Sequence, residues 1–197
     1  GLGGVDTLVG PTAAQITWDI TGAAAGAVEN FAYSNVENLQ GTVGSDDQFI
    51  FDPGVAVAGS INGGLGGNDQ INYSSFGASV DVILTGANGT GTEVGSVANG
   101  FAGIEDFIGT RSGDSFTGRD VASTWTIGAA SSTYSDGGTI TFRDFASVTG
   151  GSAADSFSIQ TDVTIDVATG DGINSVTVTN DRTLTGSITG GAGADTV

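Results

Sequence analysis

The sequence predicts an all-β fold, a parallel β-solenoid of roughly nine coils of about 21 residues each, and three observations lead there. First, an apolar-rich segment runs into a glycine at Gly22, Gly41, Gly63, Gly86, Gly109, Gly128, Gly150, Gly170 and Gly190, with spacings of 19 to 23 residues. A unit this short cannot enclose a core alone, so units must stack on one another. Second, the larger apolar residues between these marks alternate with polar ones. Third, helical signals are missing: the one candidate stretch, Gly22 to Phe31, is interrupted by Gly26 and carries no apolar stripe at helical spacing.

Taken along the chain, Ile16/Trp18/Ile20, Val80/Val82/Leu84, Ile140/Phe142, Val163/Ile165/Val167 and Val176/Val178 keep period two, the pattern of strands with one buried face. Their Thr, Val, Ile and Phe content suits strands, and Gly, Asn and Asp punctuate the corners between them. Parallel strands repeat about every 4.8 Å, so nine coils predict a rod of about 45 Å. The general crossover preference predicts right-handed winding. A further pattern recurs as Phe31-x4-Val36-Glu37-Asn38-Leu39-x-Gly41 and Phe101-x2-Ile104-Glu105-Asp106-Phe107-x-Gly109, and more weakly as Phe142-x2-Phe145-x2-Val148-x-Gly150. Its aromatic and apolar residues are expected inside and its Glu-Asn or Glu-Asp pair at a corner.

A longer period overlies the short one. Asp6-Thr7-Leu8-Val9-Gly10 followed by Thr17-Trp18 matches Asp114-Ser115-Phe116-Thr117-Gly118 followed by Thr124-Trp125, with the tryptophans about 107 residues apart. The expected organisation is one continuous segment over 1–197 with a long internal repeat, about 1–113 and 114–197. Gly1-Leu2-Gly3-Gly4-Val5-Asp6 and Gly190-Gly191-Ala192-Gly193-Ala194-Asp195-Thr196-Val197 already read as repeat motifs, so the chain is expected to be an excerpt of a longer array.

Composition narrows function. The 197 residues carry a net charge of −18 and no Cys, Met or His, and their four cations are all arginine. So few cations cannot neutralise phosphate, which argues against nucleic acid and anionic membrane surfaces as partners. No apolar run approaches the roughly 20 residues of a membrane helix, and no signal peptide is visible. Without His, Cys and Lys there is no Ser-His-Asp or Cys-His catalysis, no Schiff base and no His- or Cys-ligated zinc. Paired acids are the remaining route to cleaving a glycoside, but the acids here sit at repeating corners, so an enzyme is not expected. Arg111, Arg119, Arg143 and Arg182 are scattered and read as surface charge partners. The Thr-x-Thr steps fall out of phase, which excludes a flat ice-binding array, and the glycine-rich loops lack a phosphate-binding signature.

The strings VENLQGTVGSDDQF, GIEDFIGTRSGDSF, TWDITG and ITGGAGADTV resemble the degenerate repeats of giant bacterial surface proteins, namely haemagglutinin-like and calcium-binding (RTX-like) repeat adhesins and related filament-forming β-solenoids. The resemblance covers essentially the whole chain and rests on repeat style. It implies a secreted or cell-surface location and a structural or adhesive role. It also implies calcium as the one cofactor to consider, since Gly190 to Val197 is similar to the RTX nonapeptide; the other copies depart from it, and the tandem nine-residue recurrence that builds RTX calcium sites is absent.

Two groups of stacked residues are candidate calcium ligands. Asp47 and Asp69, 22 residues apart with Asp46 alongside, form one; Asp155, Asn174 and Asp195, at equivalent places on three consecutive coils, form the other. Calcium takes six to eight oxygens at about 2.4 Å. The competing use of the same residues is the Asx turn, in which a short side chain accepts backbone N–H bonds at a tight corner. The expected function is a structural component of an extracellular bacterial fibre, stalk or surface layer, joined to further repeats or to copies of itself. The alternative is a calcium-stabilised adhesin module with a glycan or cell-surface partner.

Overall fold

The computed structural model describes residues 3–197, so Gly1 and Leu2 of the opening motif lie outside it. The described residues form strands and no helix. β1 (Thr7–Val9) leads into β2 (Gln15–Gly22), which doubles back through β3 (Ala25–Val28) and β4 (Phe31–Ser34). Four single strands follow: β5 (Asn38–Gln40), β6 (Asp46–Phe51), β7 (Ile61–Asn62) and β8 (Gln70–Asn72). A second triplet, β9 (Asp81–Gly86), β10 (Thr90–Glu93) and β11 (Val97–Ala102), precedes β12 (Asp106–Ile108) and β13 (Ser115–Thr117). The third triplet is β14 (Ser123–Ile127), β15 (Ser132–Ser135) and β16 (Thr139–Arg143). Then come β17 (Ser147–Thr149), β18 (Asp155–Ile159), β19 (Val163–Thr164), β20 (Asp166–Ala168), β21 (Ser175–Val178), β22 (Leu184–Thr185) and β23 (Ile188–Thr189).

The strands sort into two large mixed sheets. The first runs β1-β5-β7-β11-β10-β9-β13-β17-β20-β23; the second runs β21-β18-β14-β15-β16-β12-β8-β6-β2-β3-β4, and β19 pairs with β22 alone. The chain alternates between the two large sheets, and single strands pair in parallel with their counterparts, as in Leu39↔Ile61, Phe49↔Ile71 and Val167↔Ile188.

The all-β expectation stands. The expectation of uniform parallel winding does not, because each triplet is an antiparallel meander set into a sheet of otherwise parallel pairs. Three of the nine marker glycines belong to these meanders: Gly22 and Gly86 end β2 and β9, and Gly128 follows β14. The local reason is plainest at Asn88-Gly89, where both residues are left-handed, at φ 54° and 57°. Positive φ at two successive residues gives the hairpin turn whose twist matches its flanking strands. The chain therefore reverses where a corner was expected.

One continuous core lies behind the alternating residues. Ile16, Trp18, Ile20, Val80, Val82, Leu84, Ile140 and Phe142 are all buried, each at most 5% exposed. Trp18 stacks on Phe49 with ring centroids 5.3 Å apart, and Trp125 stacks on Phe157 at 5.2 Å. Gly10 and Gly118 make room for these indoles, since a Cβ there would lie 2.9 Å from Trp18 and 2.6 Å from Trp125. Phe101, Ile104, Phe107, Phe142, Phe145 and Val148 are interior as their pattern predicts. Phe31 is a correction: it is 74% exposed, because β4 is the edge strand of its sheet and has no neighbour beyond it.

Candidate functional site

The corner that leads from the first sheet into the second carries all six candidate ligands. Asp46 opens β6 and Asp47 follows it; Asp69 immediately precedes β8, Asp155 opens β18, and Asn174 immediately precedes β21. Asp195 precedes Thr196, which bridges to Ser175. Asp47, Asp69, Asp155 and Asn174 are buried, Asp195 is half-buried and Asp46 is exposed.

Within each group the residues are joined by a relay in which one backbone N–H donates to the side-chain oxygen of the next strand over. In the first relay the Asp47 amide donates to Asp69 Oδ1 at 2.8 Å and the Asp69 amide to Glu105 Oε2 at 3.0 Å. In the second the Ser123 amide donates to Asp155 Oδ1 at 3.0 Å, the Asp155 amide to Asn174 Oδ1 at 2.8 Å and the Asn174 amide to Asp195 Oδ1 at 3.0 Å. The other oxygen commonly closes its own turn: Asp47 Oδ2 accepts from the Thr42 amide at 3.0 Å and Asp155 Oδ2 from the Gly151 amide at 2.9 Å. Marker glycines permit this closeness, because a Cβ at Gly41 or Gly150 would lie 2.6 Å from the carboxylate it faces. Asp46 also serves a neighbour, accepting the Asn68 amide at 2.7 Å.

Sequence reading missed several members. Glu105 ends the first relay, and Ser123 begins the second while its hydroxyl accepts from Trp125 Nε1 at 2.9 Å and donates to Asp155 Oδ1 at 2.6 Å. Trp18 Nε1 donates directly to Asp47 Oδ1 at 2.7 Å. Asp114 does the same work at the opposite corner, where the Arg111 amide donates to Oδ2 and the Val80 amide to Oδ1. Two-residue spacing in Ser123-x-Trp125 is a usable signal for Ser123; Glu105 is expected at a corner, but nothing in the sequence pairs it with Asp69, 36 residues away.

The two relays differ at their middle members. Asn174 is neutral and donates Nδ2–H to the carbonyls of Gly170 and Asp171, both at 3.1 Å. Asp69 has a carboxyl there, and its Oδ2 is buried without a hydrogen-bond partner. The Gly64 amide, one route to it, is taken by Asn62 Oδ1 at 3.0 Å. Burial first, then the nearby Glu105, Asp47 and Asp46 charges, push the Asp69 carboxyl up to about 7 against the hydrogen bond from the Asp47 amide. Burial also raises Asp47 and Asp155, opposed for Asp47 chiefly by the Trp18 indole and for Asp155 chiefly by the Ser123 hydroxyl.

These oxygens are largely engaged by backbone donors, and among the described residues no group of three or more acids is placed to hold a metal ion. As arranged, the donor set fits turn formation better than a calcium cage, which would need six to eight converging oxygens. Asp69 Oδ2 is the exception.

Away from this corner, Glu93, Ser96 and Tyr73 form a buried network. The Ser96 amide donates to Glu93 Oε2 at 2.6 Å, the Ser96 hydroxyl bonds the same oxygen, and it lies 3.0 Å from the Tyr73 hydroxyl. Burial raises the Glu93 carboxyl. All three residues are at most 4% exposed, so the network is closed off from solvent. Among the described residues, Arg111 is ion-paired with Asp144, Arg119 with Asp136 and Arg143 with Asp106.

No protein-family model matches the chain, and no curated protein and no solved structure matches it at a significant level.

Proposed function

We propose that the chain is a β-solenoid segment of an extracellular bacterial fibre, stalk or surface layer, whose coils are interrupted by three meanders. The observation that carries this reading is the regular passage between two sheets in which single strands pair in parallel with counterparts 19 to 22 residues away, or 31 to 36 where a meander intervenes, with corner side chains bonded across successive crossings. Such an arrangement extends by repetition, with backbone pairing and a dry interior continued from unit to unit. Edge strands at either end of the sheets, among them β1, β4, β21 and β23, offer backbone groups for further repeats or a second copy. The net charge of −18 keeps such a rod dispersed and disfavours nucleic acid.

A second reading, an adhesin module ordered by calcium, draws on the unpartnered Asp69 Oδ2 beside Asp46, Asp47 and Glu105. Immunogold labelling of intact source cells with antibody to this chain tests the extracellular structural role. Gold distributed along surface appendages or a surface layer is the expected result; label seen only after permeabilisation contradicts it.

A further inference from the structure

We propose that the cleft beside the third meander is a binding site for a neutral saccharide of about two sugar units. This gives the adhesive reading a location and rests on it. The cleft has a volume of about 490 Å³, inside the roughly 300–1,000 Å³ range of small-molecule sites.

Topology explains why it exists. β15 and β16 lengthen the second sheet, while in the first sheet β13 pairs directly with β17 and no strand compensates. The corner opens there, between the β14–β15 turn, the β16–β17 loop and the segment around β19. At the first meander the corresponding space is occupied: the loop after β6 folds onto the hairpin, with the Ala58 amide donating to the Ala23 carbonyl at 2.8 Å and Val57 buried.

The lining has the chemistry of a sugar site. Ala129, Ala130 and Val163 expose apolar surface to the cleft for C–H faces, above Phe142, Phe145 and Ile165, which are at most 6% exposed. Arg111, Asp144, Asp162 and Asp166 add planar donors and acceptors able to grip paired hydroxyls. Among the described residues, Asp144, Asp162 and Asp166 are engaged through Oδ1, by Arg111, by the Thr183 amide and by Ser187 respectively. The lining sets two arginines, one of them paired with Asp106 outside the cleft, against three aspartates, so the cleft has no excess positive charge to select an anion, and among the described residues no three acids converge on a cation. A ligand without charge, carrying both donors and acceptors and an apolar face, is what remains.

Backbone geometry supplies an independent argument. Arg111 and Asp144 are both left-handed, at φ 71° and 62°, and they clasp each other through backbone and side chain. A chain that places glycine at most of its left-handed turns puts an arginine at this one, with its side chain 78% exposed. Strain held at an exposed residue beside a cleft is a mark of a ligand clamp.

The test is calorimetric titration of the full chain with cellobiose, lactose, maltose and N,N′-diacetylchitobiose, beside trigalacturonate, each to about 20 mM, with thermal melts of every variant. At least one neutral disaccharide is expected to bind with Kd near 1 mM. Arg111→Gly, which relieves the left-handed strain, should weaken it at least about tenfold while leaving the melting midpoint within about 2 °C. Absence of binding by every neutral disaccharide, tighter binding of trigalacturonate, or unchanged affinity in Arg111→Gly overturns the proposal. Binding in this assay and gold on the cell surface are separate readouts, so either can fail alone.

Discussion

The two corner relays have the same geometry and different middle residues. In Asp155–Asn174–Asp195 an amide separates two carboxylates and points its Nδ2–H at two turn carbonyls. In Asp47–Asp69–Glu105 the middle member is a third acid whose Oδ2 has no partner. Relaying a backbone N–H from strand to strand requires only one acceptor oxygen per residue. The second oxygen position decides the electrostatics. A buried row of carboxylates is costly unless one is neutralised, and the second relay has neutrality written into its sequence, whereas the first acquires it from a proton near neutral pH.

The largest effects should come from the two buried relay acids that close their own turns, Asp47 and Asp155. Asp47→Ala leaves both the Trp18 Nε1–H and the Thr42 amide without their acceptors, for a loss of about 3 kcal/mol. Asp155→Ala strands the Ser123 and Gly151 amides and the Ser123 hydroxyl proton, while the Trp125 Nε1–H keeps the Ser123 oxygen, so its loss should be of similar size, about 3 kcal/mol. Chemical denaturation of the two variants side by side checks this; a loss below about 1 kcal/mol in either contradicts the bonds assigned to that acid.

Next in size is the exchange that makes the second relay like the first. Asn174→Asp replaces two donated hydrogen bonds by carboxylate–carbonyl repulsion, so its midpoint at pH 8 should fall by about 6 °C, equivalent to roughly 2 kcal/mol. Part of the loss should return at pH 5, as the new acid protonates.

The reverse exchange, Asp69→Asn, should stabilise. The folded-state value of about 7 for Asp69 lies above the ordinary 3.8. Between these values the folded chain holds a proton that the unfolded chain has released, so this group's contribution is greatest at the acidic end of the window and falls as pH rises through 7. Wild type should therefore lose about 4 °C in midpoint between pH 5.5 and pH 8. Asp69→Asn should flatten that slope and melt above wild type at pH 8. A slope unchanged by the substitution would assign the pH dependence to Asp47, Asp155 or Glu93, whose carboxyls burial also raises. Smallest of all, Phe31→Ser should shift stability by no more than about 0.5 kcal/mol, since the edge strand leaves this ring in solvent.

Much of this was legible in the chain. Period-two runs located the buried faces around Trp18, Val82 and Phe142, and Asp47/Asp69 and Asp155/Asn174/Asp195 were grouped as they lie. The meanders were missed because a glycine after an apolar strand marks a corner and a hairpin alike. Asn88-Gly89 is itself a hairpin signal, but the glycine period runs through it unchanged and so does not distinguish a reversal from a corner. Glu105 as a relay partner, and the cleft around Arg111 and Asp144, depend on strand neighbours more than 30 residues away, which local pattern does not encode.

The most direct test is thermal unfolding of the full chain at pH 8, in excess EGTA and then in about 5 mM calcium. Saturation at a hundred times Kd would add about 2.7 kcal/mol, and for a chain of this size that raises the midpoint by some 5–10 °C. If the corner acids are turn formers and strand-to-strand relays, the two melts should agree within about 1 °C, with Asp69→Asn still melting higher than wild type. A calcium-dependent rise of 5 °C or more that Asp69→Asn abolishes would contradict that account and make the first relay a metal site.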